Sequence, residues 1–193
     1  MSAPTGQTAD PPGPTVGHVI LLNGTPSSGK TTTARALWSQ LEPPHWYRSL
    51  DDFRQGYQPE HWRTDPRPLF QLVLRGFIRS VREMALAGHH VITETVMLPG
   101  NTDAYLNALA GIRVYLIGVR CPLDVAQRRE RERTDRLGGP IELAVPDFDL
   151  VHADRQYDVE FDSSVTSTPD AVAMIREALD SGRPPSAFES MRP

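Results

Sequence analysis

The sequence is poor in cysteine, in lysine and in long apolar runs. It has 193 residues and a single cysteine, Cys121, which excludes an intrachain disulfide. No apolar stretch reaches the ~20 residues that a transmembrane helix needs. Residues 1–15 contain neither a basic residue nor an apolar segment, so they do not resemble a secretory signal. We therefore expect a protein of the reducing cytoplasm.

A generally basic surface is also missing. The formal net charge is −4, which argues against a nucleic-acid binder, because such proteins normally present a basic face. The expected partner is a small molecule rather than a nucleic acid or a membrane, and a homo-oligomer is left open. Of the twenty basic residues, Lys30 is the one lysine and the other nineteen are arginines.

Length and composition predict one folded domain with two irregular ends. Hydrophobic residues make up 39% and charged residues 23% of the chain, as in soluble globular proteins. The Pro- and Gly-rich residues 1–16 predict a disordered leader, residues 17–180 the domain, and residues 181–193 a flexible tail.

Apolar, β-branched runs alternate with helical patterns along the domain. The order βαβαβαβαβα predicts a five-stranded parallel sheet covered by helices on both faces, which is a three-layer α/β/α sandwich. Ligands bind at the carboxyl ends of the strands in such sheets. The predicted strands are His18–Asn23, Trp46–Leu50, His90–Thr93, Arg113–Val119 and Val159–Asp162, and the predicted helices are 30–41, 69–87, 102–110, 123–136 and 169–179.

A phosphate-binding loop follows the first strand. Residues 24–31 match G-x-x-x-x-G-K-[ST] between a predicted strand and a predicted helix, the context that the motif requires. Its backbone N–H groups and the helix N-terminus attract phosphate oxygens, Lys30 reaches the terminal phosphates, and the Thr31 hydroxyl binds Mg²⁺. The predicted nucleotide-binding residues are Gly24, Thr25, Pro26, Ser27, Ser28, Gly29, Lys30, Thr31 and Thr32.

With this loop and several later segments, the chain resembles the chloramphenicol phosphotransferase family of P-loop kinases from about Val19 to Ile175. The resemblance implies a P-loop kinase-like fold and an ATP-dependent transfer of phosphate to an antibiotic hydroxyl, which gives resistance or self-protection. Glu94 stands where the family has Asp, and residues 57–70 differ from the family. The segments that carry the likeness are Leu50-Asp51, Val91-Ile-Thr-Glu94, Leu98-Pro-Gly100, Gly118-Val-Arg-Cys121, Asp135-Arg136, Val151-His152 and Tyr157-Asp-Val-Glu-Phe-Asp162.

Three carboxylates at predicted strand ends are candidates for chemistry. Phosphoryl transfer to an alcohol needs a carboxylate near the attacking hydroxyl, and Asp51 matches the position of the family's general base. Asp52 is the alternative base, or it caps the next turn or binds Mg²⁺ through water. Glu94 is predicted to hold a Mg²⁺-bound water or to contact the substrate, unless it is simply exposed.

An arginine-rich helix is the second candidate site. Arg129, Arg133 and Arg136 share one helix face, where like charges repel unless an anion lies between them. We predict that they clamp a triphosphate, with Arg133 and Arg136 catalytic and Arg129 and Arg133 binding the nucleotide. The adjoining Gly138-Gly139 predicts a small arginine-rich lid. The other interpretation is a solvated charged helix.

Rival functions follow from the same motifs. A metabolite, nucleotide or nucleotide-sugar kinase would use this scaffold with another pocket, and a regulatory P-loop ATPase would bind a protein partner. A guanine-specific switch is excluded, because its Asn-Lys-x-Asp element needs a second lysine. Aromatic residues between Trp46 and Phe70 line either a substrate pocket or the ordinary core.

Overall fold

A five-stranded parallel sheet forms the centre of the protein. The computed structural model describes residues 15–57, 66–132 and 148–192. The strand order is β2-β3-β1-β4-β5, and all pairs are parallel, which confirms the predicted five-stranded parallel sheet. The strands are β1 His18–Asn23, β2 His45–Arg48, β3 His90–Thr95, β4 Arg113–Arg120 and β5 Val159–Asp162. The helices are α1 Lys30–Trp38, α2 Leu50–Arg54, α3 Pro66–Leu86, α4 Pro99–Ala108, α5 Leu123–Glu132 and α6 Thr168–Asp180.

Alternation along β1 explains why helices cover both faces of the sheet. Successive side chains of a strand point to opposite faces, so Val19 and Leu21 pack with α3 and α4. Ile20 and Leu22 pack instead with α1 and α6. All four side chains have 0% exposure. The three-layer α/β/α arrangement predicted from the sequence is therefore confirmed.

Helix α3 shows how sequence spacing fixes packing. Its apolar residues recur every three or four positions, which places them on one face of a helix. Six of these residues are at most 1% exposed and belong to the core beneath the helix: Val73, Leu74, Phe77, Ile78, Val81 and Ala85. None of the helices in the described ranges has the length and apolarity that crossing a membrane requires.

The C-terminal segment packs against the domain, which differs from the flexible tail expected at residues 181–193. The Asp158 carboxylate accepts hydrogen bonds from the backbone N–H groups of Ser186 (2.8 Å) and Ala187 (3.1 Å). Phe188 is 1% exposed and joins the core beneath α3. The prediction rested on Pro184-Pro185 and overlooked this buried aromatic anchor. Residues 1–14 of the predicted leader lie outside the described residues.

Three adjacent strands begin with histidine at the amino edge of the sheet. His45 pairs with His90 in register, and His18 lies beside both. The Nε2 atoms of His18 and His45 are 3.0 Å apart, and the His18 N–H donates to His90 Nδ1 at 3.2 Å. Burial, then the charges of His90, His45 and Arg113, lower the pKa of His18 to about 3. Burial also lowers the pKa of His45 and of His90.

This cluster predicts a loss of stability in mild acid. The folded protein favours neutral His18, so its contribution to stability is present above the free pKa of about 6.5. That contribution is lost as pH falls below this value towards the folded pKa, because the unfolded chain binds the proton first. When the pH is lowered from 7.5 to 5.5, we expect the binding of a proton to His18 in the unfolded chain to lower the free energy of unfolding by about 1 kcal/mol.

Urea unfolding at both pH values measures this effect. The His18→Asn variant should show a smaller drop than the wild-type protein, whereas His89→Asn, at an exposed neighbouring position, should match the wild type. An equal drop in His18→Asn and the wild type would contradict the assignment to the cluster.

Candidate active site

The phosphate loop is a tight turn that requires glycine at its first position. A Cβ on Gly24 would lie 2.4 Å from the Val119 carbonyl oxygen and 2.6 Å from Ser28 Oγ. Ser27 adopts a positive φ of 58°, and Gly29 adopts 94° as it caps α1. A non-glycine residue at positive φ is strained, and such strain is concentrated at functional sites. The loop geometry is therefore held by its surroundings.

Lys30 lies under this loop. Its ammonium donates hydrogen bonds to the carbonyl oxygens of Gly24 (2.9 Å) and Thr25 (2.7 Å), and the residue is 8% exposed. Within the described part of the chain, the buried hydroxyls of Thr25 and Ser28 have no hydrogen-bond partner. Buried polar groups are nearly always hydrogen-bonded, so these hydroxyls fit a site that takes a polar ligand such as phosphate.

The remaining loop residues are placed on the outside of the turn. Pro26 is partly exposed, and Thr32 is exposed on the first turn of α1. The predicted nucleotide-binding set from Gly24 to Thr32 therefore contains both buried and exposed members around one turn.

Glu94 lies opposite the loop, as predicted, and both of its oxygens accept hydrogen bonds. Thr31 Oγ1 donates to Oε2 and Tyr47 OH donates to Oε1, each at 2.8 Å. Burial, followed by the Glu94 charge, raises the pKa of Tyr47, so Tyr47 keeps its proton and remains a donor. The sequence did not identify Tyr47 as a partner of Glu94, because 47 residues separate them.

A metal at this edge would depend on more than protein carboxylates. No group of three or more His, Cys, Asp or Glu side chains that could hold a metal occurs among the described residues. The Thr31 hydroxyl and the Glu94 carboxylate, which lie together, are oxygen donors of the kind that Mg²⁺ commonly takes with substrate phosphates and water.

Arg129 is the predicted arginine that the structure places at the loop. Its Nη1 donates to Ser163 Oγ (2.9 Å) and its Nη2 to the Ser163 carbonyl (2.8 Å). Ser163 Oγ in turn donates to the Ser28 carbonyl at 2.6 Å. Arg133, Arg136 and the glycines of the predicted lid lie outside the described residues.

Glu130 is a loop contact that the sequence analysis missed. It is 6% exposed, and its carboxylate accepts a hydrogen bond from Ser27 Oγ. Its position inside a highly charged helix gave no indication that one carboxylate turns inward. The contact ties α5 to the strained residue of the loop.

Asp51 and Asp52 lie in the first turn of α2. Ser49 caps this helix, since its side chain accepts a hydrogen bond from the Asp52 backbone N–H at 3.0 Å. Neither aspartate therefore has to serve as the cap. Asp51 is exposed and Asp52 is partly exposed, and both belong to the carboxyl edge that also carries the phosphate loop and Glu94.

Asn23 joins three chain segments at this edge. It has 0% exposure, and its Oδ1 accepts from the Met97 N–H at 2.8 Å. Its Nδ2 donates to the Val151 carbonyl (3.0 Å) and to Tyr157 OH (2.9 Å). The sequence indicated only that Asn23 ends β1, since these partners are 74 to 134 residues away.

The close approach at Gly24 predicts a measurable cost for any side chain. Gly24→Ala must displace both the β4 backbone at Val119 and the Ser28 side chain, so we expect a loss of about 1–3 kcal/mol of unfolding free energy. Gly100→Ala is the matched control, because a Cβ there meets nothing within 4 Å. Chemical denaturation compares the two variants, and equal stability would show that the loop does not require this contact.

Comparison with known proteins agrees with this geometry. The family model described as chloramphenicol phosphotransferase-like protein matches residues 17–180. A Mycobacterium tuberculosis protein that carries the provisional name O-phosphotransferase is 28% identical over 91% of this chain and 88% of its own length.

Solved structures show the same fold. A sugar kinase from Janibacter is 18% identical with a TM-score of 0.64, covering 86% of this chain and 96% of its own. The tunicamycin resistance protein of Deinococcus radiodurans is 22% identical with a TM-score of 0.60, covering 85% and 96%. Family, relatives and P-loop fold support a kinase-type O-phosphotransferase that uses a nucleotide. The chain belongs to the chloramphenicol phosphotransferase-like family.

Proposed function

We propose that this enzyme transfers the γ-phosphoryl group of ATP to a hydroxyl of an antibiotic, either chloramphenicol-like or another ribosome-targeting compound. The observation that carries the proposal is the convergence of Lys30, Thr31 and Glu94 at the carboxyl edge of the sheet. We place the reaction in the cytoplasm, where ATP is available and Cys121 stays reduced. The product would be an inactivated drug, so the function would be resistance or self-protection.

The donor side of the proposed site is positively charged. Lys30 and the backbone of residues 24–29 would hold the β- and γ-phosphates. Arg129, next to Gly29, would contact the same triphosphate, since a Cβ on Gly29 would lie 3.7 Å from Arg129 Nη1. Arg133 and Arg136 would close over the phosphates and stabilise the charge that develops during transfer.

The residues that would hold Mg²⁺ are Thr31, Glu94 and Asp52. The Thr31 hydroxyl is already directed towards Glu94, and oxygen ligands of this kind suit Mg²⁺. Magnesium would supply neutralisation of the phosphate oxygens in the transition state. Asp52 would contribute through a bound water.

Asp51 is the proposed general base. Its carboxylate would take the proton of the acceptor hydroxyl while the hydroxyl oxygen forms a bond to the γ-phosphorus. The bond between the γ-phosphorus and the bridging oxygen breaks, and ADP leaves with that electron pair. The exposed position of Asp51 in α2 leaves room for an acceptor molecule beside it.

The acceptor class rests on the family and on the surroundings of α2. A fold neighbour, the Deinococcus protein, is named for resistance to an antibiotic. Trp46, Phe53 and Phe70 are only partly buried against the core, and apolar surfaces with few polar groups suit drug-sized ligands. The sugar kinase neighbour favours the second candidate, a kinase for a metabolite, nucleotide or nucleotide sugar.

A transfer screen separates these functions. The protein is incubated with Mg²⁺-ATP and with separate panels of ribosome-targeting antibiotics, sugars, nucleosides and nucleotide sugars, and products are identified by mass spectrometry. A phosphorylated antibiotic is the expected product. Phosphorylation of a sugar or nucleotide sugar alone would support the metabolite kinase. ATP hydrolysis without any phosphorylated acceptor would favour a regulatory ATPase.

With an acceptor in hand, Asp51→Asn tests the base. We expect kcat to fall by about 10²–10⁴-fold, which is the usual contribution of a general base. Nucleotide affinity should stay close to that of the wild type, because Asp51 lies on the acceptor side. Asp103→Asn, at an exposed position of α4, is the charge-matched control. Unchanged turnover in Asp51→Asn would remove Asp51 from this role.

A further inference from the structure

A chain of hydrogen bonds leads from the Asn23 amide to His152. The Met97 backbone N–H donates to the Asn23 side chain (2.8 Å), and a backbone N–H can only donate, so the accepting atom must be Oδ1. This contact fixes the orientation of the amide. The other end, Nδ2, therefore donates to the Val151 carbonyl and to the oxygen of Tyr157.

The orientation of Asn23 favours one tautomer of His152. The Tyr157 oxygen accepts a hydrogen from Asn23, and its own proton can be donated to its second partner, His152 Nδ1, at 2.7 Å. A neutral imidazole whose Nδ1 accepts must carry its hydrogen on Nε2. Burial, then the charges of Arg120, Lys30 and Arg155, lower the pKa of His152 to about 4, so the ring is neutral at pH 7.

The Nε2–H group is a buried donor that the rest of the described chain does not use. Within residues 15–57, 66–132 and 148–192, no hydrogen-bond partner lies within reach of His152 Nε2. The ring borders a cavity of about 420 Å³ beyond the ends of β4 and β5, together with Arg120 and Asp162. A buried N–H without an acceptor is unfavourable, so a donor held in this orientation calls for an oxygen.

The position of His152 indicates which oxygen it takes. The ring is linked through Tyr157 to Asn23, which directly precedes the phosphate loop, and the Gly24 carbonyl of that loop accepts a hydrogen bond from Lys30. The cavity beside the ring is lined by Arg120 and also by Asp149 and Asp162. Because the loop holds the phosphates in the proposed function, the oxygen that this geometry favours for His152 belongs to the terminal phosphoryl group.

We propose that the His152 Nε2–H donates a hydrogen bond to a terminal phosphoryl oxygen of the bound nucleoside triphosphate, and that Asn23 and Tyr157 hold the ring in this tautomer. The inference rests on the proposed function, because it requires nucleotide binding at the loop. Neutral His152 would complement the cations around the phosphates with a directional contact. It adds a binding residue that the motif at residues 24–31 does not include.

A pair of amide variants separates the two ring nitrogens. His152→Asn can still accept from Tyr157 but lacks a donor at the Nε2 position, whereas His152→Gln can place an amide donor there. Calorimetry with Mg²⁺ and the non-hydrolysable analogue AMP-PNP should show that His152→Asn binds the analogue at least about tenfold more weakly than the wild type does. His152→Gln should recover part of the loss. ADP should bind the wild type and both variants alike, because it lacks the terminal phosphoryl group.

Long-range ¹H–¹⁵N spectra of the histidine rings test the tautomer without activity. The wild type should show His152 protonated at Nε2. The Nε2 resonance should shift when AMP-PNP is added and should not shift with ADP. Tyr157→Phe keeps the ring that packs on Gly118 but should lose the single tautomer. A proton on Nδ1, or no change at Nε2 with AMP-PNP, would overturn the inference.

These outcomes distinguish the inference from the function on which it rests. Equal AMP-PNP affinity in His152→Asn and the wild type would overturn the role of His152 and leave nucleotide binding intact. A wild-type protein that binds neither AMP-PNP nor ADP would overturn both.

Discussion

The interaction on which the rest of the site depends joins Lys30 to its own loop. The ammonium bridges the carbonyl oxygens of Gly24 and Thr25. The turn can close because residue 24 has no side chain that would overlap with the β4 backbone. A positive charge is thereby held beneath a ring of backbone amides at a helix N-terminus, an arrangement that attracts phosphate. The roles proposed for the other residues follow from where each residue lies relative to the Lys30 ammonium.

Parallel topology explains how distant residues reach the loop. With every strand pointing the same way, all carboxyl ends meet at one edge, which gathers the phosphate loop, Glu94 and Asp51. Val151 and Tyr157, which precede β5, reach this edge through their hydrogen bonds with Asn23. Three contacts then hold the loop in place: Glu94 binds Thr31, Glu130 binds Ser27, and Ser163 links Arg129 to Ser28. The loop is therefore shaped by the surrounding elements as well as by its own glycines.

Sequence patterns predicted the fold and the phosphate loop, but not the side-chain contacts between the loop and the surrounding elements. The short uninterrupted apolar run of β1, followed by a Gly-rich turn, indicates a buried strand, and the helical period of the apolar residues in α3 identifies that helix and its buried face. Tyr47, Glu130 and His152 belong to no period, and their partners are set by tertiary packing. Phe188 was missed for a related reason, since one aromatic residue among prolines carries no pattern. The roles assigned to Asp51, Asp52, Arg133 and Arg136 remain predictions.

The affinity of Lys30→Met for Mg²⁺-ATP tests the central claim most directly. Methionine keeps the length and apolar stem of lysine and removes the charge, so the side chain still occupies the space under the loop. The account predicts about tenfold to hundredfold weaker binding by calorimetry, as expected for lost hydrogen bonds to a charged group, while the unfolded fraction measured by circular dichroism stays low. A folded Lys30→Met protein that binds Mg²⁺-ATP as tightly as the wild type would contradict it.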